Sequence, residues 1–219
     1  MTAPRIITID GPAGCGKGTL ARRLAERLGY AHLDTGRLYR AVGLAVLRSG
    51  NDPDDVQTAV AAARALDAAG IAAGALDDPE LSGDRAAAAA SKVAAIPEVR
   101  AALLDFQRAF AVAPPAGAKG AILDGRDTGT VVCPDAPLKL FINASAEVRA
   151  DRRHKELLAR GEASIYARVL AEIKERDERD STRAVAPLKP AGDARLIDTS
   201  SMDADAVLEA ALEYIALSA

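Results

Sequence analysis

Residues 5 to 29, RIITIDGPAGCGKGTLARRLAERLG, constrain the fold more than any other stretch of the chain. An apolar run, Ile6 to Ile9, enters a glycine-rich turn, Gly11 to Gly18, and an amphipathic helix follows. Strand, loop and helix in that order make a phosphate-binding loop. Successive backbone N–H groups of such a loop point inward, and the helix N-terminus adds its positive end. The candidate triphosphate site is therefore Gly11, Pro12, Ala13, Gly14, Cys15, Gly16, Lys17, Gly18 and Thr19, with Lys17 reaching the outer phosphates. The usual pattern puts Ser or Thr directly after the lysine, where its hydroxyl meets magnesium. Gly18 holds that place here and Thr19 follows, so contact with Mg²⁺ is expected through water, with Thr19 nearer the phosphates. Cys15 is read as a small residue tolerated in the loop, because phosphoryl transfer needs no thiol.

The chain of 219 residues suffices for one good core with small insertions. A net charge of -3 and the lack of a long basic tract argue against dedicated nucleic-acid binding. Cys15 and Cys133 make no disulfide scaffold, and no Cys/His metal spacing occurs. The N-terminus lacks a basic segment followed by an apolar signal stretch, and no apolar run is long enough for a membrane span, so a soluble cytoplasmic protein is expected. Alanine is abundant and tryptophan absent, which favours helices packed closely through small side chains.

Short apolar segments at residues 5 to 10, 30 to 33, 120 to 124, 138 to 143 and 194 to 198 read as strands. Helices are expected near 17 to 28, 37 to 49, 53 to 69, 98 to 111, 146 to 159, 164 to 179 and 203 to 217. Their alternation predicts an α/β fold: a five-stranded parallel sheet covered on both faces. Residues 70 to 97 read as an insertion with a turn at Asp77-Asp78-Pro79 and a helix after Gly83, and residues 113 to 119 as a plain connection.

Loops at the carboxyl ends of strands line the ligand crevice of open α/β sheets. Asp34-Thr35-Gly36-Arg37-Leu38-Tyr39-Arg40 follows the second strand and Asp124-Gly125-Arg126-Asp127 the third, at the edge that carries the phosphate loop. Thr35 can donate to a ligand oxygen, and Arg126 with Arg40 could hold a second, smaller phosphate; the alternative for Arg126 and Asp127 is an ion pair that steadies the loop. Asp10 and Asp124, at strand ends, are candidates for the Mg²⁺ shell, together with Thr19, or for loop support. His32 and His154 are read as structural or solvated. From Arg149 to Arg183 arginines interleave with acids, which fits either a salt-bridged hairpin or a lid whose guanidinium forks clamp phosphate.

Taken together, these segments resemble the bacterial cytidylate kinases of the nucleoside monophosphate kinase superfamily. The resemblance covers nearly the whole chain: ITIDGPAGCGKGT, DTGRLYRA, SKVAAIPEVRAALLDFQRAF, LDGRDTGTVVCPDAPLKLFINAS and LAEIKERDERDSTRAVAPL, in that order. It implies a nucleoside monophosphate kinase fold and transfer of the γ-phosphate of ATP to CMP or dCMP. It assigns Thr35, Arg40, Ser91, Arg108, Arg126, Asp127, Asp180 and Arg183 to the monophosphate nucleotide, with Ser91, Arg108 and Asp127 on the cytosine. A serine is commoner in the family where Thr35 stands. Lys17, Arg126, Arg176, Arg179 and Arg183 are then the groups that meet charge in transfer, and Arg153 joins the ATP site. The implied sub-regions are a core of 1 to 34, 113 to 148 and 184 to 219, an acceptor region of 35 to 112 and a lid of 149 to 183. The family is usually monomeric, and its bacterial members usually carry a small β-rich piece where this chain has a shorter stretch near Gly70 to Gly83. A kinase for UMP or AMP, or a nucleotide-operated switch with a protein partner, are the competing readings.

Overall fold

The computed structural model describes residues 5–67, 70–115 and 117–218. Five strands, β1 (Ile6–Asp10), β2 (Ala31–Asp34), β3 (Ala121–Gly125), β4 (Leu138–Asn143) and β5 (Arg195–Asp198), lie within one residue of the expected segments. They form one sheet in the order β2-β3-β1-β4-β5. β1 pairs in parallel with β3, Ile7 opposite Ile122, and with β4, Ile7 opposite Leu138. Parallel strands need crossover connections, and α-helices lie between successive strands except β3 and β4. Burial follows position: all of β3 and residues 7–10 of the central β1 are buried, whereas edge strand β5 buries only Ile197.

The helices are α1 (Lys17–Leu28), α2 (Thr35–Arg48), α3 (Val56–Ala65), α4 (Asp84–Val93), α5 (Pro97–Val112), α6 (Ala146–Ala159), α7 (Tyr166–Thr182) and α8 (Ala204–Leu217). The α3 start differs from the expected residue 53: Asp52 turns the chain by accepting from the Asp54 N–H, and Asp55 caps the helix through the Thr58 N–H. The end expected at residue 69 lies at Ala65, and Ala68 and Ala69 fall outside the described residues. Ala116 of the expected connection also lies outside them.

The chain divides into two compact units, one of Met1–Leu33 with Pro114–Ala219 and one of Asp34–Ala113. In the sheet unit, Ile7 and Ile9 of β1 join Leu140 and Ile142 of β4, Leu20 and Leu24 of α1, and Val207, Ala211 and Ile215 of α8 in one apolar cluster. α6 and α7 form a hairpin with its own small core of Ala150, Leu157, Val169 and Ile173. Its outer face carries the interleaved charges as pairs four residues apart, Lys155 with Asp151, Arg160 with Glu156, Arg168 with Glu172 and Arg179 with Glu175. Such exposed pairs contribute only about 0.3–0.5 kcal/mol each.

In the helical unit the abundant alanine has its expected use. α2 crosses α4 so closely that a Cβ on Gly43 would stand 2.8 Å from the Ala89 Cβ. Between Arg48 and Ala121 the described residues contain no strand; the stretch near Gly70 to Gly83 holds a π-helical turn at Ile71–Ala75 and a 3₁₀ turn at Pro79–Ser82. The β-rich piece that the resemblance would suggest there is absent from the described residues.

Candidate active site

The glycine-rich loop leaves β1 under tight steric control. A Cβ on Gly11 would lie 2.1 Å from the Ile142 carbonyl oxygen, so no side chain fits. Gly14 and Gly16 take φ 75 and 91, the left-handed region that glycine enters at no steric cost. Gly16 is the N-cap of α1, which places the open end of that helix at the loop. Cys15 is buried at 1 % exposure as a member of the core cluster, in keeping with a packing role. The Lys17 ammonium rests on the Pro12 carbonyl at 3.3 Å, a long contact for a charged donor.

Two further backbone carbonyls of the loop are held from outside. The Thr199 hydroxyl, just beyond β5, donates to the Cys15 carbonyl at 3.2 Å. The Arg149 guanidinium donates to the Ala13 carbonyl at 3.1 Å and forks onto the Asp177 carboxylate.

The two strand-end carboxylates have different surroundings. Asp10 has both oxygens engaged: Oδ1 accepts from the Thr128 N–H and hydroxyl, and Oδ2 from the Gly129 N–H, each at 2.8 Å. That is the loop-support role, fixing the turn after β3. Asp124 Oδ1 is hydrogen-bonded to His32 Nε2 at 2.6 Å, while its Oδ2 stands 3.8 Å from where a Cβ on Gly18 would be. Asp124 thus reaches the position in which a hydroxyl usually follows the loop lysine. No cluster of three or more His, Cys, Asp or Glu able to hold a metal occurs among the described residues. Mg²⁺ that arrives with a nucleotide uses one or two carboxylates together with phosphate oxygens and water.

Burial pushes the Asp10 carboxyl up to about 6, against the hydrogen bonds from Gly129 and Thr128 that favour its anion. The unfolded group ionises near 3.8. Its contribution to stability is therefore complete below that value and is lost as pH rises through about 6. Between pH 5 and pH 8 this loss should amount to about 1–1.5 kcal/mol. Urea unfolding of the protein and of Asp10→Asn at both pH values checks it; equal pH dependence in the two proteins would contradict the assignment.

After β3, Arg126 does not pair with its neighbour Asp127, the ion pair weighed from the sequence. Its Nε donates to Asp180 of α7 at 2.9 Å, and its Nη1 to the Gly125 carbonyl. Burial alone would raise the Asp180 pKa, but Arg126, Arg176 and Arg183 together hold it below the ordinary carboxylate value. Asp127 faces Arg183 instead, at 4.0 Å. Arg183 also donates to the Ala186 carbonyl at 2.6 Å, and Ala186 takes φ 52, a conformation that costs a non-glycine residue about 1 kcal/mol. The sheet unit thus brings Lys17, Asp124, Arg126, Asp127, Arg176, Asp180 and Arg183 onto the loops and helix at the carboxyl edge of the strands.

The remaining acceptor candidates belong to the helical unit. Thr35 opens α2 and is buried, Ser91 is buried on α4, and Arg108 is exposed on α5. Arg40 donates to the Leu81 carbonyl at 2.7 Å, tying α2 to the 3₁₀ turn.

A cavity of 240 Å³ opens beside the phosphate loop, lined by Cys15, Gly16, Thr19, Arg152, Thr199 and Met202 among others. Sequence reasoning passed over Arg152, whose guanidinium donates to the Thr199 carbonyl at 2.6 Å, and named Arg153, which pairs with Glu156. The rule that ligands gather at the carboxyl ends of strands, applied to β2 and β3, would have found the Thr199–Met202 loop had it also been applied to β5. His32 was likewise missed as the partner of Asp124.

The family model for cytidylate kinase matches residues 7–217. A cytidylate kinase of Paramagnetospirillum magneticum is 61% identical over 210 residues, spanning 96% of this chain and 97% of its own. One from Rhodospirillum rubrum is 60% identical over 211 residues, again 96% and 97%. Among solved structures, an uncharacterized protein from Eubacterium ventriosum shares the fold with a TM-score of 0.55 at 16% identity, over 96% of this chain and 98% of that one.

Proposed function

The chain belongs to the cytidylate kinase family, and we infer that it is a (d)CMP kinase: it transfers the γ-phosphoryl group of ATP to CMP or dCMP, yielding ADP and CDP or dCDP. The observation that carries the reading into chemistry is the loop of Gly11 to Gly18 with Lys17, set beside Asp124 and the Arg126–Asp180 pair in the same unit. We assign the triphosphate to the loop N–H groups and Lys17, and the donor nucleoside to the cavity beside Arg152 and Thr199. The acceptor phosphate is assigned to Arg126 and Arg183, with Asp180 orienting Arg126. Thr35, Arg40, Ser91 and Arg108 of the helical unit are assigned to the same nucleotide, with Asp127.

The acceptor already carries an anionic phosphate oxygen, so the protein supplies no general base. Its contribution is alignment of the two phosphates and stabilisation of charge spread over the transferring group. Lys17 and Arg126 approach that charge from the loop and from β3, and Arg176, Arg179 and Arg183 from α7 and the segment after it. Mg²⁺, when bound with ATP, would neutralise phosphate charge; Asp124 and Thr19 would hold it, in part through water. Asp10 keeps the turn after β3 in place. No described helix is long and apolar enough to cross a membrane. We propose a monomeric enzyme with the core, acceptor region and lid divided as the sequence suggests.

ATP turnover measured with CMP, dCMP, UMP and no acceptor tests this reading. CMP and dCMP should be the best acceptors and UMP clearly poorer. Cytosine presents a donor at N4 where uracil presents an acceptor at O4, so a side chain placed to accept from N4 is mismatched with uracil. Equal efficiency with CMP and UMP would overturn the specificity and leave the kinase; ATP hydrolysis indifferent to any acceptor would favour the nucleotide switch.

A further inference from the structure

Arg149 is charged, buried at 4 % exposure, and absent from every role assigned above. An arginine in such a place needs its donors engaged, and hydrogen bonds occupy four of the five. Its Nε donates to the Ala144 carbonyl at 2.9 Å, in the turn between β4 and α6. Its Nη1 donates to the Ala13 carbonyl at 3.1 Å and to Asp177 Oδ1 at 3.0 Å, and its Nη2 to Asp177 Oδ2 at 2.5 Å. One planar group therefore joins the phosphate loop, the end of a central strand and the second helix of the hairpin.

We propose that Arg149 is a positioning residue for the phosphate loop, and that Asp177 orients it. A trans peptide points its carbonyl and the following N–H in opposite directions. Drawing the Ala13 carbonyl onto Arg149 turns the Gly14 N–H the other way, where it serves a bound phosphate. Gly14, at φ 75, has no side chain to resist rotation of that peptide, so an outside hold on it is needed. The bidentate Asp177 fork fixes the guanidinium plane, and the remaining N–H bonds fall on Ala144 and Ala13. A lysine would retain the charge but could not satisfy these acceptors from one rigid plane.

The inference rests on the ATP assignment above, and its test keeps the two apart. Steady-state kinetics with ATP and CMP, and thermal unfolding, are measured on the full chain, on Arg149→Lys, on Asp177→Asn and on the double variant. Arg149→Lys should raise KM for ATP about tenfold, the loss of one charge-assisted contact, with KM for CMP within about twofold. Asp177→Asn should shift KM for ATP in the same direction by less, and the double variant should be no worse than Arg149→Lys, since both act through one group. A folded Arg149→Lys with unchanged KM for ATP overturns the proposal, as does an equal rise for ATP and CMP, which marks a general structural role. Should Arg149→Lys fail to fold, Asp177→Asn decides: a rise confined to ATP supports the proposal and unchanged kinetics overturn it. Failure of the unsubstituted protein to use CMP would strike the kinase reading instead.

Discussion

Lys17→Ala should lower turnover of ATP with CMP by about a hundredfold or more while the protein remains folded. Removing a single preorganised charge or donor that faces developing negative charge costs about 10²–10³ in rate. Little stability should go with it, because the ammonium is only part-buried. Turnover measured alongside urea unfolding checks both halves. A folded variant with near-normal turnover would show that Lys17 has been given the wrong role.

Arg126→Ala should weaken CMP binding by about 1.5–3 kcal/mol, the scale of a lost charge-assisted contact, and weaken binding of a non-hydrolysable ATP analogue far less. The structure adds a second cost. Asp180 would be left buried without its partner at 2.9 Å, and its pKa, now held low, would rise. The double variant Arg126→Ala with Asp180→Asn removes that stranded charge. It should recover stability without recovering CMP affinity. Calorimetric titration of both variants decides: restored CMP binding in the double variant would mean that Arg126 serves only to neutralise Asp180, and unchanged CMP affinity with weakened analogue binding would contradict the acceptor assignment.

The strands were legible because each is a short apolar run closed by a residue of different character, such as Asp10 after Ile9 or Asp34 after Leu33. Helix starts were less so: whether α3 opens at Pro53 or Val56 depends on which of Asp52, Asp54 and Asp55 accepts the free N–H groups, and only the folded geometry chooses Asp55. At the candidate site, residue types at strand ends pointed to chemistry, but their pairing did not follow from sequence distance. Arg126 neighbours Asp127 in the chain and yet bonds Asp180, 54 residues on. The arginine-rich segment hid the widest variety of roles. Arg149, Arg152 and Arg153 lie within five residues of one helix; one braces a loop, one lines a cavity and one pairs along its own helix. The partners of Arg149 and Arg152 come from Ala13, Asp177 and Thr199, so no local pattern could sort the three.

The central place of β1 in the sheet also sets an order of events during synthesis. β1 pairs with strands that lie far behind it in the chain, at Ala121–Gly125 and Leu138–Asn143. Its apolar residues stay without a sheet until β3 and β4 have been made, and pairings of such long sequence separation are slow to form and exposed to aggregation meanwhile. Gly11, which packs on the Ile142 carbonyl, can settle only after β4 arrives. The phosphate loop can consequently take its final form only after β4 has been made, although it precedes β4 by more than a hundred residues.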